Sequence, residues 1–145
     1  MEAVKLFIFS FMSTIGFSIL FHTPTDVVLK TGIVGGISWI VYYTASLFFE
    51  DKIISTLLAA ITVGILGELF SRHFKKPATV FIIPGIIPLV PGAGMYYTML
   101  ALVVKDYASA ANKGIETFFI AAAISAGLII STTLSASIRR VKNKN

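Results

Sequence analysis

The sequence predicts an all-α integral membrane protein of about five transmembrane helices, the fourth broken by a Pro/Gly-rich segment. Hydrophobic residues make up 56% of the 145 residues and charged residues only 13%, roughly half the charged share of a soluble domain. Mean hydropathy is +0.87. The charges gather between long apolar runs. From Lys76 to Lys105 there are 28 intervening residues without a charge, and Pro84-Gly85-Ile86-Ile87-Pro88-Leu89-Val90-Pro91-Gly92-Ala93-Gly94 sits in their middle.

The apolar runs place the spans at about 6–21, 31–49, 53–69, 78–104 and 117–138. The first follows Lys5 closely, as in a signal peptide, yet no small-x-small cleavage site precedes His22-Thr23-Pro24, so it reads as a retained span. The second carries Gly32, Gly35 and Gly36, and a tight Glu50-Asp51-Lys52 turn separates it from the third, which carries Gly64 and Gly67. Small residues at near-helical spacing imply close helix packing. Ser71 to Pro77 form the next connection, and a polar connection from Lys105 to Glu116, with Asp106 and Asn112, follows the broken span. In the last span Ser125, Thr132 and Ser135 share a face; they either line a polar path or bond back to their own helix. At about 20 residues per crossing, residues 1–145 form a single transmembrane domain with no internal repeat.

Loop charges orient the bundle. With five crossings, Lys30, Arg72, Lys75, Lys76, Arg139, Arg140, Lys142 and Lys144 lie on one side, against Lys5, Lys52, Lys105 and Lys113 on the other. If the Pro/Gly segment were a re-entrant hairpin, the tail would change sides and the division would become even. The positive-inside rule therefore favours a broken span that still crosses, with the N-terminus outside and the basic tail in the cytoplasm. This bias accounts for the net charge of +5. The expected surroundings are the lipid bilayer, and nothing calls for nucleic acid.

The break has its own logic. Proline disfavours helical geometry in the residue before it, so Pro88 and Pro91 should keep Gly85 to Val90 extended or turn-like. Pro91 suits the first turn of a new helix, where its missing N–H is no loss. The free N–H groups from Gly92 to Met95 would then point toward the bilayer middle with the positive end of the helix dipole behind them, a setting for a carboxylate. Unpaired backbone at bilayer depth is tolerated only where protein or a watery cavity surrounds it. The competing reading is a Pro-kinked packing helix. Tyr96 and Tyr97 follow by one turn; one is expected to face what the break faces and the other to pack or anchor. The candidate substrate-binding residues are Pro88, Pro91, Gly92, Ala93, Gly94, Tyr96 and Tyr97.

The stretch Lys-Pro-Ala-Thr-Val-Phe-Ile-Ile-Pro-Gly-Ile-Ile-Pro-Leu-Val-Pro-Gly-Ala-Gly from Lys76 to Gly94, followed by Met95-Tyr96-Tyr97, closely resembles the signature of the ThrE-type threonine/serine exporter family. The early Gly-rich span with Trp39 and the Ala/Gly/Ser-rich last span fall in the expected order. Within that family the chain is similar to the small, YjjB-like C-terminal half. The resemblance implies export of threonine and serine, or in some two-component systems of a dicarboxylate such as succinate. It also implies a larger partner subunit of the N-terminal-half type and a place in the bacterial inner membrane.

Glu68 is the one acidic residue inside an apolar run. It is a candidate proton relay, or else the partner of Arg72 in an i,i+4 pair at the interface. His22 and His73 lack ligand-like spacing, so neither a metal nor another cofactor is expected. Cysteine is absent, which excludes thiolate chemistry. No carboxylate pair or Ser/His/Asp set lies at bilayer depth, which argues against an enzyme. A non-transporting scaffold or assembly subunit is the alternative to an exporter, and the glycine faces would also suit a homo-oligomer.

Overall fold

The structure, a computed structural model, describes the backbone of residues 2–142 and the side chains of 2–135 and 137. Six α-helices follow in order: α1 (Glu2–Leu20), α2 (Val28–Phe49), α3 (Lys52–Phe74), α4 (Thr79–Gly85), α5 (Gly92–Val103) and α6 (Tyr107–Lys142), with one turn of 3-10 helix at Ile87–Leu89. Four helices are long and apolar enough to cross a membrane alone, and the bent pair Thr79–Leu89 and Gly92–Val103 makes up to five.

The ends of the helices follow from local chemistry. Glu50 closes α2 in the left-handed region with φ 51°, and the next residue, Asp51, caps α3 by accepting from the N–H groups of Ile53 at 2.7 Å and Ile54 at 3.1 Å. Two helices thus meet at a two-residue corner. Lys75 ends α3 in the same left-handed way with φ 54°. Asp106 caps α6 by accepting from Ser109 N–H at 3.1 Å. Consequently the polar connection expected from Lys105 to Glu116 shrinks to the residues between Val103 and Tyr107, and Asn112, Lys113 and Glu116 stand on helix. Hydropathy marks the stretch that lipid covers, whereas backbone bonding continues beyond it, here through the helix-favouring alanines 108, 110 and 111.

Packing is inverted relative to a soluble core. The buried residues of α1 are Ser10, Thr14 and Ser18, while Phe9, Met12 and Phe48 are exposed. Small side chains let helices approach, and large apolar ones face hydrocarbon. The Thr14 side chain fills the space over Gly35, and Gly36 faces the ring of Phe7. Buried hydroxyls bond to their own helix, as Thr14 Oγ1 does to Ser10 O at 2.8 Å and Ser38 Oγ to Val34 O at 2.7 Å. Each hydroxyl is thereby satisfied without a partner helix. Ser125 and Thr132, the polar-path candidates, likewise donate to Ala122 O at 2.9 Å and Leu128 O at 2.9 Å.

Neighbouring helices run α1 against α2, α2 against α3, and α3 against α6, the most extensive pairing. Helix α4 inserts among α1, α2 and α3, whereas α5 packs along α6. Two charged contacts tie connections at the end of the bundle where α3 stops. Lys76 Nζ lies 3.4 Å from Asp26 Oδ2, and Lys30 Nζ stands 3.9 Å above the Phe74 ring. Arg139, Arg140, Lys142 and Lys144 lie outside the described side chains.

Candidate functional site

The break begins where α4 sinks into the bundle. At Gly85 a Cβ would stand 3.0 Å from Val34 Cγ1 and 3.3 Å from Val63 Cγ1, so the absence of a side chain lets α4 end between α2 and α3. Phe81, Pro84 and Leu89 are buried around it. Gly85 itself is still helical, where an extended or turn-like backbone was expected. Beyond it the backbone is turn-like as expected: Ile87 lies in the 3-10 turn, with Leu89 N–H donating to Ile86 O at 2.9 Å. Pro88 is tolerated there because an early position of such a turn needs no N–H. Val90 is extended as expected, with φ −63° and ψ 129°. Pro91 then stands at the cap of α5, and the direction of the chain changes by 52° across the break.

The free N–H groups expected from Gly92 to Met95 reduce to two. Gly92 N–H donates to Val90 O at 2.8 Å and Met95 N–H to Pro91 O at 3.0 Å. Those of Ala93 and Gly94 have no backbone acceptor among the described residues.

A cavity of about 370 Å³ opens at this point, lined by the break, the corner between α2 and α3, and the start of α6. Pro88, Pro91, Gly92, Ala93, Gly94 and Tyr97 all face it. Tyr96, the seventh residue of the expected set, is 63% exposed and does not line it. Trp39 and Tyr42 form an aromatic wall with ring centroids 5.0 Å apart. Three charged side chains complete the lining: Lys52, Lys113 and Glu116. Lys52 Nζ pairs with Glu116 Oε1 at 2.7 Å, joining α3 to α6, and Lys113 Nζ stands 5.3 Å from the Tyr97 ring centroid. In the sequence all three stand in polar connections between apolar runs. Their signal was present in the i,i+3 spacing of Lys113 and Glu116, which puts both on one face once the segment is helical.

A second cavity, about 600 Å³ and almost wholly apolar, lies between α5 and α6 and shares Val90, Pro91 and Thr117 with the first. The break is therefore a partition between a charged vestibule and an apolar groove.

Glu68 lines neither cavity and is remote from the charged one. It sits 16 residues along α3 from Lys52, about 24 Å at 1.5 Å per residue. Its Oε2 is 3.8 Å from the Arg72 guanidinium, which also donates to Ser135 O at 3.1 Å. Among the described residues no group of three His, Cys, Asp or Glu could hold a metal.

A bundle with small residues inside, apolar side chains outside and a broken helix beside a charged cavity defines a multi-pass helical membrane protein. The family described as Threonine/Serine exporter, ThrE, matches residues 6–134, and the chain belongs to that family. A probable threonine/serine exporter from Mycobacterium tuberculosis is 26% identical over 129 residues, which are 88% of this chain and 24% of that protein. The chain thus spans about a quarter of that relative's length. No solved structure matches.

Proposed function

We propose that this chain is the small membrane subunit of a secondary exporter for small carboxylate-bearing metabolites, threonine and serine or a dicarboxylate such as succinate, and that it works with a larger subunit. The family and the name of the mycobacterial relative support export. In this proposal the larger subunit carries what the relative has beyond the 24% that this chain matches. Alternating access also needs two bodies that move against each other, and one compact bundle offers little room for that.

The observation that carries the reading is the cavity at the break, where six of the candidate substrate-binding residues meet two lysines, a glutamate and an aromatic wall. In this proposal the bundle sits in a bacterial inner membrane with its N-terminus outside and its basic tail in the cytoplasm, so the charged vestibule faces outward. The geometry of the break supports a fifth crossing. A 52° bend keeps α5 advancing in the sense of α4, whereas a hairpin requires reversal. Eleven residues before the bend and twelve after it rise together by about 28 Å along α4, close to the hydrocarbon thickness of about 30 Å.

The test is efflux of labelled threonine, serine and succinate from vesicles holding this chain with and without a candidate larger subunit of the N-terminal-half type. Efflux only with both is expected. Robust efflux by this chain alone would overturn the two-component reading, and none from the pair would favour the scaffold.

A further inference from the structure

We propose that Lys113 is the cation that receives the substrate carboxylate in the charged cavity, and that the Lys52–Glu116 pair biases the site toward ligands with a single carboxylate to neutralise. The inference rests on the export reading above and narrows it, because the charge balance of the site favours threonine and serine over a dicarboxylate.

The three charged groups of the cavity are not equivalent. Lys52 is matched by Glu116 at 2.7 Å. Among the described residues Lys113 has no carboxylate within 4.0 Å. Its ammonium is instead held 5.3 Å from the Tyr97 ring centroid, inside cation–π range. A ring face positions an ammonium but leaves its charge intact. The lining therefore carries one positive charge in excess, on a side chain that shares the cavity wall with Gly92, Ala93 and Gly94.

A ligand with one carboxylate brings that excess to zero. A second carboxylate would either stay without a counter-charge or draw Lys52 away and leave Glu116 unpaired; because the side chains of the pair are 64% and 47% exposed, this costs a few-fold in affinity and does not exclude the ligand. An α-amino acid has a further match. Glu116 engages Lys52 through Oε1, so Oε2 is available to an ammonium, and the Trp39 and Tyr42 rings in the same wall offer π faces to it. The cavity, about 370 Å³, lies at the lower end of the range for small-molecule sites.

Trp39 is the single tryptophan of the chain and lines this cavity, so its emission is an internal probe. The experiment titrates serine and succinate into the protein in lipid nanodiscs, alone and with the larger subunit, following Trp39 emission and, in parallel, heat by calorimetry. Saturable serine binding, a few-fold tighter than that of succinate, is expected. Lys113→Gln should weaken serine by about tenfold or more, the range of a charge-assisted hydrogen bond, and Lys113→Arg should restore most of it. Glu116→Gln frees Lys52 and should bring succinate binding up while lowering serine. Wild-type serine affinity in Lys113→Gln, or equal serine and succinate affinity in the unaltered chain, would overturn the inference and leave export standing. Intact binding with no efflux from the paired subunits would instead sink the export reading and leave the site standing. These positions are exposed on α3 and α6, so the variants are expected to fold.

Discussion

Ser131 lies against Gly64 where α6 crosses α3, so close that a Cβ built on Gly64 would stand 2.6 Å from the Ser131 Cβ. This contact sets the distance between the two most extensively paired helices. Nearby, Gly127 faces Ala60 in the same way, a Cβ there standing 2.8 Å from the Ala60 Cβ. The crossing is thus built from small residues on both sides.

Valine at position 64 must push α6 away or displace Ser131, and overpacking of this kind costs about 1–3 kcal/mol. Gly64→Val is expected to lower thermal stability in detergent by that amount. Gly16→Val is the control, because no atom lies within 4 Å of a Cβ there. Equal melting of the two variants would show that the crossing is loose.

Lys75 adopts φ 54° at the end of α3, a conformation that costs a residue with a side chain about 1–2 kcal/mol and glycine little. Lys75→Gly should therefore stabilise the bundle by about 1 kcal/mol despite the loss of a charge. Asn112→Gly, inside α6, should act with the opposite sign because glycine weakens a helix interior. Denaturation of the three proteins by detergent titration measures both signs, and a loss of stability in Lys75→Gly would contradict the cap.

Five crossings put positions 72 and 113 on opposite sides of the membrane. The chain has no cysteine, so single cysteines at these positions can be labelled from outside without background. Labelling at 113 and protection at 72 are expected. Labelling of both from one side would mean that the bent pair returns to the side it came from.

The spans were legible because charge is nearly excluded from lipid: Glu50, Asp51 and Lys52 mark a corner as clearly as Pro88 and Pro91 mark a break. The packing faces were legible for the same reason, since Gly32, Gly35 and Gly36 have little else to do in an apolar helix. What remained hidden was the start of α6. Tyr107 to Glu116 is too polar to be read as a span, yet alanines and the Asp106 cap make it helical, and that helix carries Lys113 and Glu116 to the break. The partner of Lys52 was equally hidden, because a pair separated by 64 residues leaves no local pattern. Likewise, nothing in the order of Tyr96 and Tyr97 says which ring turns toward the cavity.

Glu68 and Arg72 form a half-exposed pair at 3.8 Å, a class that contributes about 0.2–1 kcal/mol. Glu68→Gln should change stability by no more than that and leave the response of efflux to a pH gradient as it is in the unaltered protein. The measurement is efflux from vesicles with and without an imposed pH gradient. Efflux that no longer responds to the gradient would assign Glu68 a proton-relay role in place of an interfacial one.

The break itself is tested by three substitutions that affect it differently. Gly92 is exposed to the cavity and a Cβ there meets no atom within 4 Å, so Gly92→Val leaves the bundle undisturbed while narrowing the space a substrate would occupy. Gly94 is less clean, because its Cβ would collide with the Thr117 side chain and loosen α5 from α6. Pro91→Ala acts on the backbone: it restores an N–H and frees Val90 from its extended geometry, so helix can propagate from α5 back toward the 3-10 turn and consume the free N–H groups of Ala93 and Gly94. Gly92→Val is expected to cut efflux at least tenfold with unchanged melting temperature and partner binding. Pro91→Ala should cut it with the 52° bend reduced, which distance measurements between spin labels on α4 and α5 would register. Gly94→Val should lose both efflux and stability. Normal efflux from Gly92→Val and Pro91→Ala in correctly inserted protein would reduce the break to a packing kink and move the substrate path into the proposed larger subunit.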